Sequence, residues 1–356
     1  MTTLDVPPVL DPSGIRSAVD ELLHTFLDEQ DSTATGPELL LFTRTLRDLL
    51  DAGGKRLRPV LCVTGWQAVS HEPPPPVVIR AAASLELFHV FALIHDDIMD
   101  NSATRRGRPT AHRVLAGLNR HHPRAEALGA NAAILLGDLT LGWSYDLLYR
   151  EGSAEDRAAI PWAVLNAMRT ETLVGQYLDL QATGHRVPDV DAVWRVIRYK
   201  TAKYTFERPL QLGAMIGGAD DGQLRALSDY ALPVGEAFQL RDDLLGVFGN
   251  PDHTGKPALD DLREGKHTVL VTTAYELATP AQAGRLDAHL GDPELSHEAA
   301  EEVRAVLVDT GAVGVIEQMI ADRRRRAVDS LAAAPLHSSA RAVLDSLAAA
   351  ATTRIA

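Results

Sequence analysis

The chain has 356 residues, of which 46% are hydrophobic and 23% charged, and 48 acidic against 35 basic residues leave a formal charge of −13. That balance speaks against a nucleic-acid surface, and the hydrophobic content against a disordered chain. A single cysteine, Cys62, allows neither an intrachain disulfide nor a cysteine metal cluster, which fits a reducing, cytoplasmic setting.

Residues 1–12 contain Asp5 and Asp11 but no basic or apolar segment of a targeting signal. From Ile15, the apolar residues Val19, Leu22, Leu23 and Phe26 step by three and four, as on an amphipathic helix. The run His71 to Pro76 is predicted as an extended connection, because prolines lack the donor and exclude the preceding residue from a helix. Long helices are predicted over 77–100, 124–149, 153–182, 190–216 and 223–248, with another across 298–307. The longest of these exceed the usual ~11–12 residues. Breaks fall at 184–188 and 249–257, where Gly, Pro, Asn and Asp gather. With no strand-like alternation, the chain reads as all-α, a bundle of long helices forming one domain over 1–356. Its longest wholly apolar runs, 90–94 and 132–136, fall short of the ~18–20 residues of a membrane span, so a soluble protein is expected.

The first constellation with chemistry is Asp96, Asp97 and Asp100, at the C-terminal end of an apolar stretch from Leu87 to His95. On a helix Asp96 and Asp100 stand one above the other. Like charges there repel, and the helix dipole disfavours anions at that end. A divalent cation relieves both costs, and oxygen-only ligands point to Mg²⁺. Asp242 and Asp243 form a second pair on another apolar helical window, and two such pairs facing across a bundle would make a polynuclear metal site. Since Mg²⁺ shares its shell with phosphates, a phosphorylated ligand follows. Lys55, Arg56 and Arg58 beside Gly53 and Gly54, and Arg105 with Arg106, supply the cations such a ligand needs. His71, His95, His121 and His122 lack metal-ligand spacing, and His95 is expected to pack beside the acid motif. The run 323–326 reads as a solvated helix face, and Trp66, Trp143, Trp162 and Trp194 as packing residues.

Taken together, the segments 53–59 (GGKRLRP), 95–100 (HDDIMD) and 105–107 (RRG) resemble the trans-isoprenyl diphosphate synthases of the polyprenyl synthetase family. So do Gly175-Gln176 with Asp179, Lys200-Thr201, Phe238-Gln239 with Asp242-Asp243, and the stretch from Gly255-Lys256 through Asp261 to Lys266. The pattern spans roughly 35–340 in the family's order, and 200–209 with 249–268 are most similar to the actinobacterial geranylgeranyl diphosphate synthases.

The resemblance implies an isoprenoid synthase-type bundle around a central cavity, a homodimer, and up to three Mg²⁺ ions held by Asp96, Asp97, Asp100, Asp242 and Asp243 against an allylic diphosphate. Arg105, Lys200 and Lys256 would grip that diphosphate. Lys55, Arg58, His89 and Arg106, with the Gly54 backbone, would hold isopentenyl diphosphate. Thr201 and Gln239 would lie beside the allylic carbons, and Lys266 near the pocket mouth. Phe91, five residues before Asp96, or Phe88 below it, would form the floor that limits product length, beside the small Ala92; this implies products near twenty carbons. The chain departs from the family at Gly246, where the second motif usually carries a third Asp. Other readings are a farnesyl or longer-chain synthase, a class I terpene cyclase, or a non-catalytic partner subunit that binds prenyl diphosphates. The synthase-type second motif and the cations of the second diphosphate site weigh against a cyclase.

Overall fold

The computed structural model describes residues 11–149, 153–182, 190–249 and 259–353. Among them the only strands are the short antiparallel pair β1 (Thr104–Arg105) and β2 (Arg108–Pro109), and all other regular structure is helical. The all-α expectation holds. The chain divides into two compact units, Met1–Pro161 with Leu212–Ala219, and Trp162–Gln211 with Asp220–Ala356.

The first unit contains α1 (Pro12–Ser32), α2 (Pro37–Asp51), α3 (Leu57–Val69), α4 (Pro76–Met99), α5 (Ala111–Leu118), α6 (Ala125–Tyr149) and α7 (Ala154–Ala158). Asp11 starts α1 by accepting the Gly14 N–H at 2.7 Å, ahead of a proline at the first helical position. The predicted extended run ends where it should: Pro76 opens α4. Every residue from Val77 to Phe88 is buried, because α4 is enclosed by α1, α3 and α6. By length and composition α4 would pass for a membrane span, which the shortness of its apolar runs had argued against; 83% of that apolar window is buried, so it is a core helix. Trp143 on α6 packs edge-on to Phe26 of α1, ring centroids 6.0 Å apart, as a packing residue should.

The second unit contains α8 (Trp162–Ala182), α9 (Val190–Val196), a π-helix (Ile197–Glu207), the start of α10 (Arg208–Ile216), and α11 (Asp221–Phe248). It continues with α12 (Asp260–Arg263), α13 (Val269–Leu277), α14 (Pro280–His289), α15 (His297–Asp309), α16 (Ala312–Ala332) and α17 (Ser338–Thr352). Its centre is α11, opened by a capping box in which Asp220 accepts the Gln223 N–H at 2.8 Å and Gln223 accepts the Asp220 N–H at 3.0 Å. Ala237, Leu240, Leu244 and Val247 on α11 share a core with Leu270, Val306 and Ile316. Burying each large side chain there contributes about 1.5–3 kcal/mol. Tyr230 donates to the Leu344 carbonyl at 2.7 Å, fixing α17 to the same helix.

Three expectations change. The window 153–182 is two helices, because Pro161 bars Ile160 from the helical region. The window 190–216 is helical throughout, but its middle is wound as a π-helix. Arg323 is not simply solvated: it donates to Glu236 Oε2 at 2.8 Å and lies 4.4 Å above the Trp194 ring.

Candidate active site

In the first unit, α4 delivers Asp96 and Asp97 from its last turn and ends on Asp100 as its cap, with the Asp100 N–H bonded to the Asp96 carbonyl at 2.9 Å. The hairpin folds Arg105 back onto them. Its Nε donates to Asp97 Oδ1 at 2.7 Å and its Nη2 to Asp96 Oδ2 at 3.3 Å. Burial alone would lower Arg105, but Asp97, Asp96 and Asp100 outweigh it and keep the guanidinium firmly charged. Asp97 is 2% exposed and bonded to Arg105, whereas Asp96 and Asp100 are half-buried.

The basic loop is built around a buried strut. Arg56, in the left-handed region at φ 46°, donates to Asp20 at 2.7 Å, Glu86 at 2.9 Å and the Leu50 carbonyl at 2.9 Å. Sequence reasoning counted Arg56 among the loop cations and assigned it no role; its role is to hold the loop on α1 and α4. Lys55 is left exposed beside it, its carbonyl bonded by Arg16 Nε at 3.0 Å, and Arg58 is half-buried at the start of α3. Arg106, also left-handed at φ 54°, lays its guanidinium against Gly54, with nitrogens 3.0 and 3.2 Å from where a Cβ would stand. The missing Cβ of Gly54 lets the guanidinium come this close.

His89 lies within this field. Burial, and then Arg58, Arg106, Arg105 and Arg56, hold its imidazole well below the usual 6.5. It is neutral at pH 7 and can donate a hydrogen bond without adding charge. Because the unfolded chain would bind the proton first, His89 costs stability as pH falls below 6.5. His89→Gln is expected to flatten the fall of the urea midpoint between pH 7.5 and 5.5. An unchanged slope would mean that other groups, such as the similarly lowered His112, carry it.

Phe88 and Phe91 are 2% and 3% exposed, with ring centroids 5.4 Å apart, and Phe91 meets the His95 ring at 4.8 Å. His95 is a packed neighbour as expected, its Nε2 3.3 Å from the Ile134 carbonyl of α6, where Gly137 makes room for the ring. A cavity of about 270 Å³ is lined by Leu49, Leu93, Ile94 and Val114 together with Asp97 and Arg105. Phe88, Phe91 and Ala92 do not line it.

In the second unit the π-helix and α11 form a polar chain. Thr201 donates to Gln239 Oε1 at 2.6 Å, and Gln239 Nε2 donates to Asp243 Oδ1 at 2.8 Å. Lys200 pairs with Asp179 of α8 at 2.7 Å. Gly175 of α8 rests against the Lys200 backbone, where a Cβ would come within 2.7 Å of its nitrogen, and Gly235 of α11 rests on Ala202. The π-helix is thus held between two backbones. Glu171 adds a third tie to α8, taking Arg208 Nε and Nη2 each at 2.8 Å and Lys203 as well. Asp242 is exposed, while Asp243 is buried. Burial pushes Asp243 up to about 7; the Gln239 bond and Lys266 oppose the rise, and Asp261 and Asp242 add to it. Arg241 anchors this turn, donating to the Thr352 carbonyl at 3.0 Å and to both Glu317 oxygens at 2.7 and 2.6 Å. Lys256 lies outside the described residues.

The polyprenyl synthetase family model matches residues 40–307. The chain belongs to that family. This synthetase is 32% identical to the short chain isoprenyl diphosphate synthase of Methanocaldococcus jannaschii, over 83% of its own length and 82% of the relative's. It is 33% identical to the geranylfarnesyl diphosphate synthase of Aeropyrum pernix, covering 81% and 86% of the two chains. The geranylgeranyl pyrophosphate synthase of Corynebacterium glutamicum, solved with isoprenyl diphosphate and magnesium, superposes with a TM-score of 0.92 at 39% identity, covering 97% of this chain and all of that one. The synthetase is a prenyltransferase with the isoprenyl synthase fold, and its family is magnesium-dependent.

Its donor set suits that metal. Among the described residues no three His, Cys, Asp or Glu side chains gather closely enough to hold a metal ion by themselves; Mg²⁺ keeps waters and shares its shell with phosphate oxygens. Asp243 is lifted to about 7 mainly by burial, with Asp261 and Asp242 adding to the rise, and a cation beside it would oppose all three. Sequence reasoning missed the clamps: Arg56 with Glu86, Glu171 with Lys203 and Arg208, and Arg241 with Glu317. Each joins residues at least 30 positions apart, and no local pattern marks them.

Proposed function

We propose that the chain is a geranylgeranyl diphosphate synthase, joining isopentenyl diphosphate head-to-tail to allylic diphosphates up to twenty carbons. The observation that supports condensation rather than cyclisation is the gathering of Arg58, Arg106, Arg105 and Arg56 about a neutral His89, with the Arg106 guanidinium laid against Gly54. A cyclase needs no second diphosphate site. In this reading the whole chain, 1–356 with its core at 35–340, works as one synthase domain.

The reaction opens with cleavage of the allylic C–O bond. Magnesium, up to three ions on Asp96, Asp97, Asp100, Asp242 and Asp243, would supply Lewis-acid charge to the departing diphosphate. Arg105, Lys200 and Lys256 take up the remaining negative charge. Lys55, Arg58, His89 and Arg106 fix isopentenyl diphosphate so that its double bond meets the allylic carbon. Thr201 and Gln239 turn oxygen dipoles toward the developing cation, and Lys266 guards the entrance. No side chain is needed as the base, since the released diphosphate can accept the proton. Phe91, backed by Phe88 and beside Ala92, stops growth near twenty carbons.

Incubating the purified chain with Mg²⁺, isopentenyl diphosphate and each allylic primer in turn tests this directly. Twenty-carbon diphosphate is the expected end product, and no elongation with any primer refutes the reading. It would also dispose of the enzyme in favour of a silent partner subunit. Because Asp243 ionises only near pH 7, metal binding should expel a proton and weaken by up to about tenfold per pH unit below 7. Mg²⁺ titrations of the unfolding midpoint at pH 8, 7 and 6 would show this, and a pH-independent midpoint would count against Asp243 as a ligand.

A cytoplasmic homodimer completes the proposal. Leu135 on α6 and Tyr177 on α8 are each 60% exposed, with Ile134, Leu173 and Val174 also uncovered, more apolar surface on single helices than solvent favours. Light scattering should give twice the chain mass.

A further inference from the structure

Successive residues of an α-helix stand about 100° apart around its axis, so Arg241 lies about 200° from Gln239 and from Asp243, on the far side of α11. Asp242 falls between Arg241 and Asp243. The two sides of the helix are held by different neighbours. On the inner side Thr201 of the π-helix donates to Gln239 at 2.6 Å, and Gln239 to Asp243 at 2.8 Å. On the outer side Arg241 donates to both Glu317 oxygens of α16, at 2.7 and 2.6 Å, and to the Thr352 carbonyl of α17 at 3.0 Å.

A guanidinium fork matched to a carboxylate fixes direction as well as distance. Its second anchor is firm. Thr352 is buried and closes α17, where the last four carbonyls of a helix have no partner within it, and its hydroxyl donates back to the Ala348 carbonyl at 2.8 Å. The same two helices reach α11 at earlier turns: Arg323 of α16 donates to Glu236 at 2.8 Å, and Tyr230 donates to the Leu344 carbonyl of α17 at 2.7 Å. Those contacts keep α11 in the bundle more than a turn before the acid pair, whereas Arg241 adjoins Asp242.

We infer that Arg241 is a positioning residue for prenyl transfer: through Glu317 and the end of α17 it sets the rotation of α11 about its axis, and with it the direction in which Asp242 and Asp243 meet a cation. The inference rests on the reading of that pair as a magnesium site. Its effect has a sign that charge alone would not give. Arg241 is a cation beside two carboxylates, so by Coulomb's law removing its charge would strengthen Mg²⁺ binding. Removing a positioning residue weakens it.

The test uses the full chain and reads half-saturating Mg²⁺ twice, from turnover and from the unfolding midpoint in the presence of inorganic diphosphate, together with the KM of each substrate. Arg241→Gln is expected to raise half-saturating Mg²⁺ by about tenfold, and to raise the KM of the allylic diphosphate while that of isopentenyl diphosphate stays close to wild type. Arg241→Lys keeps the charge without the fork and should fall between wild type and Arg241→Gln. Glu317→Gln, nearly isosteric and on a half-exposed side chain, should reproduce part of the shift. The double variant should be no worse than Arg241→Gln alone, because both residues act through one contact. A lower metal-free midpoint with half-saturating Mg²⁺ and the ratio of the two KM values unchanged marks a merely structural residue and overturns the inference, as does tighter Mg²⁺ in Arg241→Gln. Should Arg241→Gln fail to fold, wild-type Mg²⁺ dependence in both Arg241→Lys and Glu317→Gln overturns it. A wild type that ignores Mg²⁺ overturns the magnesium reading along with it, whereas a responsive wild type matched by Arg241→Gln overturns this inference alone.

Discussion

Asp96→Asn is expected to cut kcat by about 10²–10³-fold while leaving the fold intact. Asparagine has nearly the same shape, and the Asp96 side chain, 19% exposed, lies 3.3 Å from Arg105. What it loses is the negative charge that a cation needs. Asp97→Asn should behave differently. Asp97 is nearly enclosed and takes Arg105 Nε at 2.7 Å, so its loss leaves a buried guanidinium poorly paired. Breaking such a pair costs about 3–5 kcal/mol, and the urea midpoint should fall together with the rate. Single-turnover rates and unfolding midpoints for the two variants separate the loss of a cation-holding charge alone from a loss that also unpairs Arg105. If Asp96→Asn keeps activity within tenfold of wild type, the first acid motif is not the metal site.

The second large effect is on product length. Phe91→Ala is expected to move the end product beyond twenty carbons by at least one five-carbon unit, and Phe88→Ala to do the same. Removing a phenylalanine that is 3% exposed leaves an apolar void beneath the acid motif, one that a prenyl tail can fill. The void itself should cost about 3–5 kcal/mol of stability, part of it recovered when long product binds. Phe91→Leu, which keeps most of the volume, should shift length less. The chain-length distribution of extracted products decides the matter, and unchanged lengths in both alanine variants would remove these rings as the floor.

Much of this protein was legible in its sequence, for reasons that are local. Helix positions follow from apolar spacing and from proline, which is why a helix expected over 77–100 is found over Pro76–Met99. The motifs were legible because Asp96, Asp97 and Asp100 sit within one helical turn and Gly54 to Arg58 within one loop. The misreadings were not local. Pro161, read as part of a helix, splits it, since the proline Cδ clashes with the backbone N–H and Cβ of Ile160 and bars that residue from the helical region. Arg323 looked like one of four solvated arginines, until Trp194 and Glu236, more than 80 residues away, gave its guanidinium a stacked and ion-paired place.

By itself the sequence determined the helical class, the family, and which side chains carry charge to the chemistry, because helix periodicity and acid or base identity are properties of short stretches. Tertiary structure alone decided how those charges are divided. It placed Asp97 and Arg56 inside, paired with Arg105 and Glu86, while Asp96 and Lys55 stayed accessible. It neutralised His89 among four arginines and brought Asp261 over Gly246 from a separate helix. A charge's chemistry depends on its solvation and its neighbours, and both are set by packing between residues that the chain itself keeps far apart.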